Sequence, residues 1–119
     1  MSYVDGFVLV VPKKKIEAYK KMAKEGAKVW MKHGALDYKE CIGDDLNPKW
    51  AKLTFPSMTK LKKDERVWFS FIVFKSKAHR NKVNAAVMKE FEKDKNTKMI
   101  MPFDMKRMAY GGFKAIVEA

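Results

Sequence analysis

Seven residues of this 119-residue chain carry groups that burial would make chemically useful: Asp5, Glu40, Trp68, Ser70, Asp104, Arg107 and Tyr110. All lie in or beside segments that read as strands. A sheet, not local spacing, must therefore bring them together. A carboxylate enclosed by apolar side chains has a raised pKa and can act as a general base. A carboxylate beside a guanidinium does the opposite and stays an ion pair. Asp5 or Asp104 paired with Arg107 is the plainer expectation, because structural ion pairs perturb titration much as catalytic sites do. Converging in a cavity, the seven would instead hold a small, partly apolar ligand.

Other chemistries fall away. Cys41 is the lone cysteine, so no internal disulfide forms, and a reducing cytoplasm is the expected compartment. A lone strand cysteine is expected to be a small buried hydrophobe. His33 and His79 stand 46 residues apart and offer no ligand spacing, so no metal site is expected. Gly111-Gly112 falls within a strand pattern instead of before a helix, so no phosphate loop and no cofactor are implied. The run Val67-Trp68-Phe69-Ser70-Phe71-Ile72-Val73-Phe74 invites comparison with the base-stacking strand of RNA-recognition domains. Phe69, Phe71, Ile72 and Phe74 fit that pattern. Val67 replaces its basic residue, and Trp68 and Ser70 replace its glycines, which favours core or interface.

That run is the centre of the chain, apolar on both faces when counted by twos. Residues 3–11 read as a preceding strand, with Gly6 marking a bulge or a close approach to the backbone. From 13 to 33, Ile16, Tyr19, Ala23, Ala27, Trp30 and Met31 make a one-sided helical stripe closed by Gly34. Residues 35–43 read as a polar edge strand, and 44–65 have no period. Ser76 caps a second helix with Val83, Ala86, Val87 and Phe91 inward and His79, Arg80, Lys82, Lys89 and Lys93 outward or sideways. Residues 94–104 are irregular and 107–117 form the last strand. Met22, Met31, Met88, Met99, Met101 and Met108 are expected to fill the core.

The order is βαββαβ: one domain over 1–119, α+β and ferredoxin-like, with both helices on one face of a four-stranded antiparallel sheet. Two helical stripes cover only one face. A bare aromatic face of that size is rare on a monomer, so a second copy is expected to pack on it, giving a dimeric α+β barrel and a homodimer through the sheet face. No apolar run is long enough to span a bilayer, and the N-terminus has no signal-peptide pattern, so no membrane is expected.

The formal charge of +12 raises a second reading, nucleic-acid (RNA) binding through basic helices. Residues 13–33 carry eight lysines against Glu17 and Glu25, 75–98 carry eight basic residues against three acids, and 47–66 carry six against Asp64 and Glu65, so the charge belongs to the helices and the long loop and not to the strands.

The segment Met101-Pro102-Phe103-Asp104-Met105-Lys106-Arg107-Met108-Ala109-Tyr110-Gly111-Gly112-Phe113 resembles the C-terminal signature of the YbaA-like bacterial family. Tyr3-Val4-Asp5-Gly6-Phe7, Ala18-Tyr19-Lys20-Lys21-Met22-Ala23, Gly34-Ala35-Leu36, Glu40-Cys41, Thr54-Phe55-Pro56 and Val67-Trp68-Phe69-Ser70 agree in order. Met105 and the high lysine content depart from it. The resemblance implies a dimeric α+β barrel and supplies no activity. The expected function is a cytoplasmic homodimer binding a small, partly apolar molecule in its barrel through the seven residues above. A cofactor-free, monooxygenase-like enzyme is a further alternative, by fold analogy alone.

Overall fold

A computed structural model describes residues 1–93 and 101–119 of the chain. Strand β1 (Tyr3–Pro12) runs through a 3-10 turn (Lys13–Lys15) into helix α1 (Ile16–Lys32). Then come β2 (Asp37–Ile42), the short α2 (Phe55–Thr59), β3 (Glu65–Phe74) and α3 (Lys77–Lys93). A second 3-10 turn (Met105–Arg107) leads into β4 (Ala109–Lys114). The fold is α+β, with one four-stranded antiparallel sheet in the order β2-β3-β1-β4 and three helices.

Alternation along β1 and β3 decides what each face carries. Tyr3, Asp5, Phe7, Leu9 and Val11 pair with Phe74, Ile72, Ser70, Trp68 and Arg66. Most of these are buried, beneath the helices. One core cluster joins Tyr3, Ile72 and Phe74 to Val83 and Val87 of α3, with Trp30 of α1 packed on it. The other joins Leu9, Val11 and Trp68 to Tyr19 and Ala23 of α1. The opposite face has Val4, Val8, Phe69, Phe71, Val73 and Phe113. Phe69 is 43% and Phe113 61% exposed. Only its far end, around Val10 and Val67, is fully buried. The shortest extent is 20 Å, enough for one sheet and one helical layer.

Several boundaries move, each for a local reason. The 44–65 stretch contains α2, too short to show a period. Thr54 starts it by accepting the Ser57 N–H at 3.2 Å, with Pro56 in the first turn. It ends on Lys60 in the left-handed conformation, φ 53°, which costs an L-residue about 1–2 kcal/mol. The last strand begins at Ala109, not 107, because Asp104 caps the 3-10 turn before it, accepting from Lys106 N–H at 3.0 Å. It ends at Lys114 because β1, its partner among the described residues, starts opposite at Tyr3. Gly6 makes no bulge, since it pairs in register with Phe71 and Gly111. The close approach there is the Phe113 ring, 3.4 Å from where a Cβ on Gly6 would stand.

Gly34 closes α1 at φ +111°, and Ser76 caps α3 by accepting the His79 N–H at 3.1 Å. Cys41 is exposed and not buried, because register sets it opposite Phe69 on the face without helices, at the edge of the sheet. Met31 and Met88 are exposed on the helices, while Met22 and Met108 pack on the core. The irregular reading of 94–100, with Met99 in it, lies outside the described residues.

Candidate functional site

Register sorts the seven candidates. Glu40, Ser70, Phe7 and Tyr110 form one row across the helix-covered face, and Tyr38, Ile72, Asp5 and Gly112 form the next. Trp68 is on the same face, opposite Leu9 and Ile42. These groups therefore lie inside the subunit, between sheet and helices, and not on the face where a second sheet would pack. The row spans three strand spacings, roughly 14 Å, so Glu40 and Tyr110 do not meet. Two clusters form instead.

The first is built on β1 and α3. Asp5 is 1% exposed. Its Oδ1 is 3.4 Å from Arg80 Nε, and its Oδ2 accepts from Asn84 Nδ2 at 3.3 Å. Asn84 Oδ1 in turn accepts from Trp30 Nε1 at 3.0 Å. Arg80 donates from Nη2 to the Tyr3 hydroxyl at 2.9 Å. Gly112, opposite Asp5, makes room for this layer: a Cβ there would lie 2.7 Å from Arg80 Nη2 and collide with the Tyr3 hydroxyl. Among the described residues, Asp5 Oδ1 and Arg80 Nε have no hydrogen-bond partner. Tyr110 stands beside them with its ring centroid 4.8 Å from that of Phe7, and it is 51% exposed. Partial burial, followed by the Asp5 carboxylate, pushes its phenol above the ordinary value.

The second cluster joins β2 to α1. Glu40 accepts from the Tyr19 and Tyr38 hydroxyls, each at 2.6 Å. Burial first, then Glu40, pushes both phenols well up, so both remain donors. The Tyr19 ring lies 4.9 Å from Trp68, whose Nε1 has no partner among the described residues. Ser70, buried, lies in the row between the clusters.

Asp104 and Arg107 are elsewhere. Asp104 N–H reaches Val10 C=O at 3.4 Å, five residues along β1 from Asp5, or roughly 17 Å. Arg107 donates to Asp104 at 2.8 Å, to Glu65 through both terminal nitrogens at 2.8 and 2.5 Å, and to the Thr59 and Lys60 carbonyls at 3.4 and 3.3 Å. The guanidinium holds both carboxyls below their ordinary values, the reverse of a general base. The Asp104–Arg107 pair is present as expected. Asp5 pairs with Arg80 and not with Arg107, because the strand carries it to the opposite end.

Arg80 was read as facing outward or sideways, yet it turns inward. The signal was available: residues 80, 83 and 87 share one face of a helix, and Val83 and Val87 are buried. Glu65 and Tyr3 had no such marker, since their roles depend on cross-strand register. Among the described residues, no group of three His, Cys, Asp or Glu side chains could hold a metal. No helix among them is long and apolar enough to cross a membrane.

A family model described as "Protein of unknown function (DUF1428)" matches residues 2–105. The chain is 40% identical over 118 residues to "Uncharacterized protein YbaA" of Escherichia coli K12, covering 99% of each, and equally to its namesake in Shigella flexneri. Among solved structures, the de novo designed protein Foldit4 aligns over 97% of this chain and 99% of its own at TM-score 0.47 and 12% identity. A model of one family covering most of the chain, and a relative matching end to end, agree: the chain belongs to the YbaA-like family of the DUF1428 description.

Proposed function

We propose that the chain is a homodimer of ferredoxin-like subunits, packed through the open sheet face into an α+β barrel. Each subunit would bind a small, partly apolar molecule against Asp5, Arg80 and Tyr110, beneath α3. The observation that carries the binding reading is the Asp5–Arg80 pair. A buried donor and a buried acceptor without hydrogen-bond partners cost about 1–3 kcal/mol each. A ligand offering an acceptor to Arg80 and Tyr110, and a donor to Asp5, would remove that cost. Phe7 and the Tyr110 ring supply an apolar wall. Small phenols and carbonyl compounds carry this combination of groups. The lone exposed Cys41 suits a reducing cytoplasm as the working compartment.

The sheet face supports the assembly. Covering the exposed parts of Phe69 and Phe113 would remove roughly 200 Å² of aromatic surface per subunit, worth roughly 5 kcal/mol at ~25 cal/mol/Å² as an upper figure.

Native mass spectrometry of freshly purified protein tests both parts. The expected spectrum shows twice the chain mass, plus a small-molecule increment that disappears in Tyr110→Phe and Arg80→Ala. Tyr110 is half-exposed, so its variant keeps the fold. A bare spectrum, together with a melting temperature unmoved by a panel of small phenols and carbonyl compounds, would remove the ligand. A monomer at 100 μM, roughly the top of the working range, would remove the barrel.

A further inference from the structure

The excess charge is not spread evenly over the helices. On α1, Lys20, Lys28 and Lys32 have acidic partners: Glu17 at 3.4 Å, Glu25 at 3.6 Å and Glu90 at 2.8 Å. Seven of the lysines without such partners gather at one end of the sheet, from three segments distant in sequence. Lys13, Lys14 and Lys15 form the turn after β1. The Lys13 N–H donates to the Asp64 carbonyl at 2.8 Å, which sets that turn beside Lys60, Lys62 and Lys63. The third segment is the 3-10 turn with Lys106, tied to Thr59, Lys60 and Glu65 by the Arg107 guanidinium.

All seven lysines are exposed, and none of their ammonium groups stands within 4 Å of a carboxylate among the described residues. The acids nearby are Asp64, which is exposed, and Glu65 and Asp104, which Arg107 occupies. Between α2 and the Met105–Arg107 turn lies a hollow of about 330 Å³ with Lys60, Lys106 and Arg107 on its wall and Met58 and Met108 beneath. Two local rules are broken there. Lys60 holds a left-handed backbone where glycine or asparagine is the usual occupant. Lys13, Lys14 and Lys15 precede α1 with no side-chain cap, at the dipole end where positive charge is unfavourable. Such conflicts concentrate at functional sites.

From this we infer that the loop cluster at this end of the sheet is a binding surface for the phosphodiester backbone of a nucleic acid. It reads charge and not sequence, because no aromatic side chain lines the hollow to stack on a base. The contact is separate from the proposed ligand site under α3 and does not depend on it.

The test is fluorescence anisotropy with mixed-sequence 20-nucleotide single strands, RNA and DNA in parallel, on the full chain between 50 and 200 mM salt. Five phosphate contacts give a log–log salt slope of about −3.5, a loss of roughly a hundredfold over that range. Lys60→Gln/Lys62→Gln/Lys63→Gln should flatten the slope by about 2 and weaken binding roughly a hundredfold at 0.1 M salt. Lys82→Gln/Lys89→Gln/Lys93→Gln on α3 removes the same charge and should change binding less than about twofold. If the first triple melts early, Lys14→Gln/Lys15→Gln/Lys106→Gln samples the same surface from other segments. Equal losses in the patch and α3 variants overturn the inference. So does absence of binding at 50 mM salt, or binding to phosphatidylserine vesicles with none to either oligonucleotide.

Discussion

Replacing Arg107 with methionine keeps most of the stem and removes the charge. Glu65 is then left with one donor, the Lys62 backbone N–H at 2.8 Å. Breaking a deeply buried ion pair by removing one partner costs about 3–5 kcal/mol. Arg107 is 18% exposed at the end of the sheet, where water can reach the orphaned carboxylate, so about 2–3 kcal/mol is expected. For a chain of this size that lowers Tm by about 8–12 °C. The pH dependence identifies the cause. Arg107 holds the Glu65 and Asp104 carboxyls below their ordinary values of 4.5 and 3.8. A depressed folded-state pKa contributes stability that is full above the unfolded value and is lost as pH falls through the folded one. The wild type should therefore hold its Tm from pH 7 to about 5 and lose it below about 4.5. The variant lacks that contribution, so the gap between the two closes in acid. Glu65→Gln/Arg107→Met, which leaves only the more exposed Asp104 carboxylate without its guanidinium, should recover much of the loss. Thermal melts by circular dichroism from pH 3.5 to 7 supply the comparison. A deficit under about 0.5 kcal/mol, or one unchanged at pH 3.5, would refute the reasoning.

Gly112→Ala drives a methyl group into Arg80 and Tyr3 and should destabilise by about 1–3 kcal/mol. Adding Tyr3→Phe, which removes the colliding hydroxyl, should restore part of that, so chemical denaturation of the double variant will be non-additive. Tyr19→Phe takes a donor from the half-buried Glu40 and should cost about 1.5–3 kcal/mol, read from the urea midpoint at constant m. Lys60→Gly relieves the left-handed backbone and should raise stability by about 0.5–1 kcal/mol, while weakening oligonucleotide binding in the anisotropy assay. On the open face, the proposed dimer predicts that Phe69→Asp will sediment as a monomer at concentrations where the wild type sediments at twice the chain mass.

Some of this architecture was legible in the residues alone. The aromatic run around Phe69 and Phe71, the stripe through Tyr19 and Ala23, and Gly34 after α1 specify their elements because strand and helix periodicities differ and only glycine enters φ +111° freely. Family membership was legible in short motifs spread along the chain, from Tyr3–Phe7 to the run from Met101 to Phe113, consistent with a relative that matches end to end. The five-residue α2 was not, since one helical turn shows no period, and neither was the turn holding Arg107, which the last strand absorbed.

What the sequence could not specify is pairing. It named Asp5, Asp104 and Arg107, but register sends Asp5 to Arg80 and gives Arg107 to Glu65, because Asp5 and the Val10 position where Asp104 docks are roughly 17 Å apart along β1. It placed the positive charge on the helices and on the long loop that holds Lys60, Lys62 and Lys63, without saying which lysines become neighbours. Hydrogen bonds between segments about fifty residues apart, such as Lys13 to Asp64, collected seven of them at one end of the sheet. Composition and periodicity are local properties of a chain. Which charges become neighbours is decided by register and strand order, and those exist only once the sheet has formed.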